Sequence, residues 1–367
     1  MLVDRGIAVK KRRVLALSAM SRRDFLKLSG AGVAGAALLG VTGCGAVGAS
    51  QAHGAKGGGV RKFVYVYEQP DVTSQGIAAN AFQKKLEEVS DGSMSITQYP
   101  SAALGGEPEL LQMVLSQAVD FVNSSTANAT LLAPQSAVFS LHYLFESQQH
   151  AIRAAADQRV NDIYNEMTRS TVPGGHTLTL YASPLRNFYS KNIEVKNVDD
   201  IKGEKVRVQA ARTEDITYAA YGAQTVHMAF GEVFTSLQTG VIDMAENALM
   251  YYYTAGQYEV APVMSMTEHS GNTQTIWVTN NTWNGLSEEE KGWVQAAANE
   301  VRKTTTGQKG LDFEEKAKND LKAQGVTFVE DVDKGSFKEI AEPLQDKLAA
   351  NLGEAATQIV QRVRELR

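Results

Sequence analysis

Cysteine is almost absent from this 367-residue chain; Cys44 is the only one. A lone cysteine has no partner within the chain, so no intramolecular disulfide holds the fold and no catalytic thiol is expected from the body. The six histidines, His53, His142, His150, His176, His227 and His269, stand apart, without the spacing of metal ligands. Each is read as a surface or satisfied core residue. H-E-x-x-H, G-x-S-x-G and a phosphate loop closing on Gly-Lys-Ser/Thr are all missing. Binding is therefore better supported than catalysis, and no cofactor or metal is expected.

Long hydrophobic runs are also lacking. The most apolar stretch, residues 28–43, is too short and too glycine-rich for a comfortable membrane span. It follows Ser21-Arg22-Arg23-Asp24-Phe25-Leu26-Lys27, a twin-arginine export motif. The run ends in Val41-Thr42-Gly43-Cys44, which resembles a lipobox, and lipidation explains Cys44 better than a structural thiol does. Simple cleavage at a nearby small residue is the alternative. Met20 directly precedes the motif, so translation could begin there rather than at Met1. Residues 1–43 are read as the export signal and 44–59, rich in Gly, Ala and Ser, as a flexible tether. Gly30-x-Gly32-x-x-Gly35 spells a dinucleotide fingerprint. It lies inside the export signal, follows no predicted strand and has no acidic residue about twenty positions on, so it is discarded.

Positive charge is scarce once the signal is gone. The signal holds 8 of the 36 basic and 2 of the 41 acidic residues, leaving 28 basic against 39 acidic groups, a net charge of −11 with His neutral. That excess argues against nucleic acid or anionic lipid as a partner, and any capture of an anion must be local.

The body of about 320 residues is long enough for two lobes with separate cores. Residues 61–67 read as a strand ending at Glu68, 75–90 as an amphipathic helix, and 94–99 as a second strand. Glu107-Pro108-Glu109 opens the next helix, with proline and acids placed as a helix N-terminus favours them. A strand at 120–122 leads into Asn123-Ser124-Ser125. A helix over 149–168 and a strand over 177–181 follow. Ser183-Pro184-Leu185-Arg186-Asn187 reads as a crossing into a second lobe, with the strand 274–279 returning. Ser287 and Glu290 make a capping box for a helix to about 305, and helices at 311–324 and 336–367 close the chain.

The stretch 199–247 is the most informative. It alternates strand (205–209), helix (213–221, stopped by Gly222), strand (225–228), helix (231–239, stopped by Gly240) and strand (241–244). Units of this kind build parallel sheets with right-handed crossovers, whose ligands sit at the carboxyl ends of strands. Arg207 alternates with Val206 and Val208 in a strand expected to be covered on both faces. Such a guanidinium needs an anionic partner, either a bound carboxylate or an internal Asp or Glu. Spacing alone puts the internal ion pair first, since buried charges are usually paired within the protein. The cluster Tyr251 to Tyr253 and Trp277 could line a cleft, although aromatic clusters are more often core.

IKGEKVRVQ followed by AFGEVFTSLQTGVIDMAEN resembles the signature of the periplasmic solute-binding subunits of TRAP transporters. That family shows a KG-x-K-x-R strand and then F-x-E-x-Y/F-x-ALQ-x-G-x-VD-G-x-EN. Here Met244-Ala245 stands where Gly-Gln is common, and Ser236 where Ala is common. The resemblance runs from about Arg61 to the C-terminus. It implies an α/β fold of two lobes, each a mainly parallel sheet flanked by helices, with a cleft and hinge between them. Residues 60–183 and 273–312 would form the first lobe, and 184–272 and 313–367 the second.

The resemblance also implies a site. Arg207 matches the arginine that grips a ligand carboxylate, Asn247 a hydrogen-bonding neighbour, Phe230 an aromatic that packs on the ligand, and Arg186 a second arginine. Glu68, Ser125 and Gln274 fall where residues face the cleft, with Glu68 open to reading as an exposed strand end and Phe230 as core. The implied function is capture of a small organic acid, with a uronate or aldonate favoured over a dicarboxylate or keto acid. The ligand would pass to the small and large membrane subunits of a permease, and only a lipid anchor would touch the membrane. An extracytoplasmic sensor or scavenging protein of the same fold, without a permease, is the alternative.

Overall fold

The computed structural model describes residues 59–304 and 308–367. The export motif with Arg22 and Arg23, Cys44 and nearly all of the expected tether lie outside the described residues.

Strand β1 (Arg61–Val66), helix α1 (Ser74–Val89), β2 (Met94–Tyr99), α2 (Glu107–Ser116) and β3 (Phe121–Ser125) open the fold. A short turn of helix, α3 (Thr126–Ala129), leads towards α4 (Gln148–Ala156) and α5 (Gln158–Thr171). The sequence reads these last two as one helix. Asp157 separates them because its backbone is extended and its carboxylate accepts from Val160 N at 3.0 Å, capping α5. Then come β4 (Gly175–Ser190), β5 (Lys205–Val208), α6 (Thr213–Tyr221), β6 (Gln224–His227), α7 (Val233–Thr239) and β7 (Met244–Asn247). Helices α6 and α7 stop at Gly222 and Gly240, whose φ values of 85° and 76° suit glycine. Strand β7 begins three residues later than expected and places Asn247 inside the sheet.

Helix α8 (Leu249–Thr254), β8 (Val263–Thr279), α9 (Asn280–Asn284), α10 (Glu288–Thr304), α11 (Gln308–Ala323), β9 (Thr327–Val329), α12 (Lys334–Leu352) and α13 (Glu354–Glu365) complete it. The expected capping box of α10 forms: Glu290 N donates to Ser287 Oγ at 3.2 Å and Ser287 N to Glu290 Oε2 at 2.7 Å.

Among the described residues all nine strands share one sheet, in the order β2-β1-β3-β8-β4-β7-β5-β6, with β9 beside β8. Strands β1, β2 and β3 are parallel to one another, as are β5, β6 and β7. Between these two sets lie β4 and β8, antiparallel to each other and to β7 and β3, while β9 runs parallel to β8. These long strands run through both halves, so the crossing at 183–187 is continuous strand within one sheet. The ladder slips between Ser183 and Arg186 and again between Arg186 and Phe188, opposite Glu268, whose φ is 45°. A bulge of this kind bends a strand and re-aims its side chains.

Alternation divides the first half's core. Tyr65, Tyr67, Phe121, Tyr181 and Ile276 pack with α1 and α10 on one face. Val66, Val122, Leu180, Ala182 and Trp277 pack with α2, α4 and α5 on the other. Trp277 is thus core. Full burial of a side chain such as Phe82 or Leu86 contributes about 1.5–3 kcal/mol. In the second half Phe188, Val206, Val208 and Met244 pack with α6 and with Phe337 and Ala341 of α12. Tyr189, Ala245, Tyr252 and Met264 pack with α7 and Leu321 of α11. The assignment of 313–367 to the second lobe needs one correction. Leu348 and Ala349 of α12, and Ile359, Val360 and Val363 of α13, belong to the first half's core. Their apolar stripe continues that of α4 and α5, which the linear order of the chain does not reveal.

Candidate functional site

A narrow cavity lies where the two halves meet. It is lined by Glu68, Gln69, Gln75, Glu107, Ser125, Arg186, Arg207, Gln209, Phe230, Asn247, Tyr251, Asn272 and Gln274. All seven residues expected from the sequence are therefore brought together. Glu68 and Ser125 come from the ends of β1 and β3; Arg207, Phe230 and Asn247 from β5, the loop after β6, and β7. Arg186 and Gln274 sit on β4 and β8, one on each side of the ladder slip. Glu68, Gln69 and Phe230 also border the mouth, with Ser101 and Ala102 on the first half and Gly231 and Thr254 on the second.

The two arginines differ in what holds them. Arg186 Nε and Nη2 grip the Glu246 carboxylate, the latter at 2.7 Å. Nη2 also donates to Glu246 O at 2.8 Å, and Nη1 donates to Asn247 Oδ1 at 3.0 Å. Burial pulls this guanidinium down, and the Glu246 charge more than restores it. Burial pushes the Glu246 carboxyl up, yet Arg186 and His269 outweigh it and hold it well below the usual carboxylate range. His269, stacked on Phe188 at 4.2 Å, is itself kept neutral by burial, down to about 4.

Arg207 is only 1% exposed and has no such partner. Its Nε and Nη2 donate to one backbone oxygen, Met228 O, at 3.1 and 2.8 Å. Among the described residues it makes no ion pair and no further hydrogen bond, so three of its five N–H groups are uncommitted. The internal ion pair placed first for Arg207 is therefore overturned; the arginine with an internal carboxylate is Arg186. The physical reason is register: Arg207 stands opposite Ala245, so alternation puts Glu246 on the other face of β7, the face of its partner Phe188. Burial pulls Arg207 down from its usual value, and no nearby group offsets this fully.

Asn247 is committed at its oxygen, which accepts from Arg186 and from Ala248 N at 2.9 Å. Its amide N–H groups make no hydrogen bond among the described residues, so this end of the cavity presents donors only. The other end presents acceptors. Glu107, 3% exposed, accepts from Gln75 Nε2 (2.7 Å), Ser125 Oγ (2.7 Å), Ser125 N (3.0 Å) and Asn128 Nδ2 (2.8 Å). Gln75 Nε2 also donates to Gln274 Oε1 at 3.0 Å, and Gln274 Nε2 to Asn272 Oδ1 at 2.9 Å. Burial, then the neighbouring Glu107 charge, push the Glu68 carboxyl up to about 8, against the pull of Arg207.

Sequence reasoning missed Glu107, Gln75, Gln69, Gln209, Asn272 and the support from Glu246. Glu107 reads as an ordinary helix-dipole acid. The available signal is Gly106 before it: a Cβ there would stand 3.0 Å from Glu68 Oε1, so the backbone approaches the site closely. Glu246 carries a stronger signal, an acid inside a doubly covered strand, which requires a cation. Among the described residues no three His, Cys, Asp or Glu side chains are grouped to hold a metal ion, and no helix is long and apolar enough to cross a membrane.

Residues 65–352 match the family of bacterial extracellular solute-binding proteins, family 7, and residues 19–39 match the twin-arginine translocation signal. A TRAP periplasmic solute-binding protein from Bradyrhizobium sp., solved in complex with galacturonate, is 26% identical with a TM-score of 0.77, covering 83% of this chain and 100% of that one. Another from Chromohalobacter salexigens, with bound D-glucuronate, is 26% identical with a TM-score of 0.75 and the same coverage. The ectoine-binding periplasmic protein of Halomonas elongata is 27% identical over 301 residues, 81% of this chain and 87% of that relative.

Proposed function

Because this chain belongs to the bacterial extracellular solute-binding proteins of family 7, transport proteins and not enzymes, we propose that it captures a sugar acid, a uronate or aldonate. The chain would deliver this ligand to the small and large membrane subunits of a TRAP permease. The observation that carries the reading is Arg207, a buried guanidinium with three uncommitted N–H groups and no internal carboxylate. Its free edge fits a carboxylate through two parallel bonds. Asn247 adds donors to the same carboxylate, and Arg186, already neutralised by Glu246, contributes one N–H. The polar wall of Glu68, Gln69 and Gln75 suits hydroxyl groups, while a diacid would bring a second carboxylate towards Glu107, whose neighbouring donors are already spent on it. The uronate complexes of the two solved relatives support the same class.

The lobes would close on the ligand about β4 and β8, with 60–183 and 273–312 in the first lobe and 184–272 in the second. The twin-arginine signal indicates an extracytoplasmic location. Lipidation at Cys44 would tether the mature protein, and its intact mass in the membrane fraction tests that point. An unmodified N-terminus elsewhere would remove the anchor. A thermal-shift screen tests the ligand. D-galacturonate, D-glucuronate and D-galactonate should raise the melting temperature in proportion to the logarithm of concentration, and succinate should not. Stabilisation by succinate alone would refute the sugar-acid reading.

A further inference from the structure

Two carboxyl groups share the cavity with Arg207, and they differ in what holds them. Every hydrogen-bond partner of Glu107 is a donor: Gln75 Nε2, Ser125 N, Ser125 Oγ and Asn128 Nδ2. Glu68 is held more lightly, by Gln69 Nε2 at 3.4 Å and the backbone of Glu107. The charged and titratable groups around it come from several elements. Glu107 and Glu109 stand on α2, with Glu109 Oε2 3.2 Å from the same Gly106 position that lies 3.0 Å from Glu68 Oε1. Arg207 stands on β5. Arg186 lines the cavity from β4 but is paired with Glu246. The Tyr251 hydroxyl, on α8, is hydrogen-bonded to Ser183 Oγ at 3.0 Å, and Asp71 is occupied by Tyr67. Arg207 is thus the one cation that favours ionised Glu68, and burial with Glu107 opposes it.

We infer that capture of a sugar acid at this site is coupled to protonation of Glu68. The inference rests on the ligand class proposed above. The ligand carboxylate neutralises Arg207 and adds a negative charge to the cavity, so ionised Glu68 loses the one cation that favours it and keeps only the bonds from Gln69 and the Glu107 backbone. Glu68 then takes one proton at a carboxyl oxygen from a buffer acid in the solvent, which is left as its conjugate base, and becomes a hydrogen-bond donor to a ligand hydroxyl. No other bond is made or broken. A ligand bringing a positive group against Glu68 would act in the opposite sense and release a proton, so the direction of proton exchange reports which chemistry the site takes.

Calorimetric titration of the mature protein with D-galacturonate, in buffers of different ionisation enthalpy, counts the protons. Glu68 is already protonated below about pH 7 in the free protein, so uptake should be near zero at pH 6.5 and approach one proton near pH 9. Affinity should weaken by up to about tenfold per pH unit above pH 8. Glu68→Gln should bind the same ligand without net proton exchange and with affinity independent of pH over this range. Binding by the unmodified protein with no uptake near pH 9, or uptake that survives in Glu68→Gln, would overturn the coupling alone. If no sugar acid binds at any pH, the ligand reading falls, and the coupling falls with it.

Discussion

At the scale of single residues, two arginines in one cavity have unlike roles. Arg186 and Glu246, each 4% exposed, form a buried pair. Removing one partner of such a pair leaves an uncompensated buried charge, which costs about 3–5 kcal/mol. Glu246→Gln should therefore lower the melting temperature by about 6 °C or more. A melting temperature within about 2 °C of the parent would show that Arg186 is solvated well enough without its partner. The sequence carries this arginine pair only in part. Val206-Arg207-Val208 shows that a guanidinium is buried, and the family signature shows that it faces a ligand. That Glu246 would reach Arg186 depends on pairing across β4 and β7, sixty residues apart in the chain, and no local pattern reports it.

At the scale of elements, the short units were legible and the long ones were not. Residues 94–99 and 213–221 agree with β2 and α6 to the residue, because each shows one clean period and a turn or glycine stop. Strands β4 and β8 read as five or six residues yet span 16 and 17. Their inner segments carry Pro184, Arg186 and Asn187, and His269 and Asn272, polar groups buried around the cavity and bulge, so the apolar alternation fades there.

Helix α8 depends on another acid, half-buried at its start. Glu314 of α11 accepts from Met250 N at 2.7 Å, at the start of the helix that carries Tyr251 into the cavity. Burial pushes Glu314 up to about 8. The folded protein therefore keeps a proton that the unfolded chain releases near the ordinary glutamate value of 4.5. That stabilisation is fully present below pH 4.5 and is lost as pH rises to about 8. Glu314→Gln, which keeps the acceptor oxygen, should be close to the parent in urea denaturation at pH 5 and more stable at pH 9. An equal loss at both values would mean that Glu314 acts through a contact that glutamine cannot replace.

At the scale of the whole molecule, the cleft is drawn shut by bonds between the halves. Gln209 Nε2 donates to Ser125 Oγ at 2.9 Å and Ala210 N to Asn128 Oδ1 at 3.3 Å. Ser125 Oγ in turn donates to Glu107, so the carboxylate that sets the charge around Glu68 also anchors the closing contact. Continuous β4 and β8 join the halves, and hinge closure about such strands brings the donor end, on the second half, against the acceptor end, on the first. The overall negative charge of the body leaves Arg207 as a local exception, enclosed where water does not screen it.

The central claim is that this one unpaired guanidinium holds the carboxylate of a sugar acid. Calorimetric titration of Arg207→Ala with D-galacturonate, beside the parent protein, tests it most directly. Loss of a desolvated charge pair costs on the order of 2–5 kcal/mol, so affinity should fall roughly 30-fold to several-thousand-fold. Arg207→Lys should recover little, since lysine lacks the planar fork. A folded Arg207→Ala variant that binds D-galacturonate within about threefold of the parent would contradict the account, because such a change is under 0.7 kcal/mol, about half of one tenfold step.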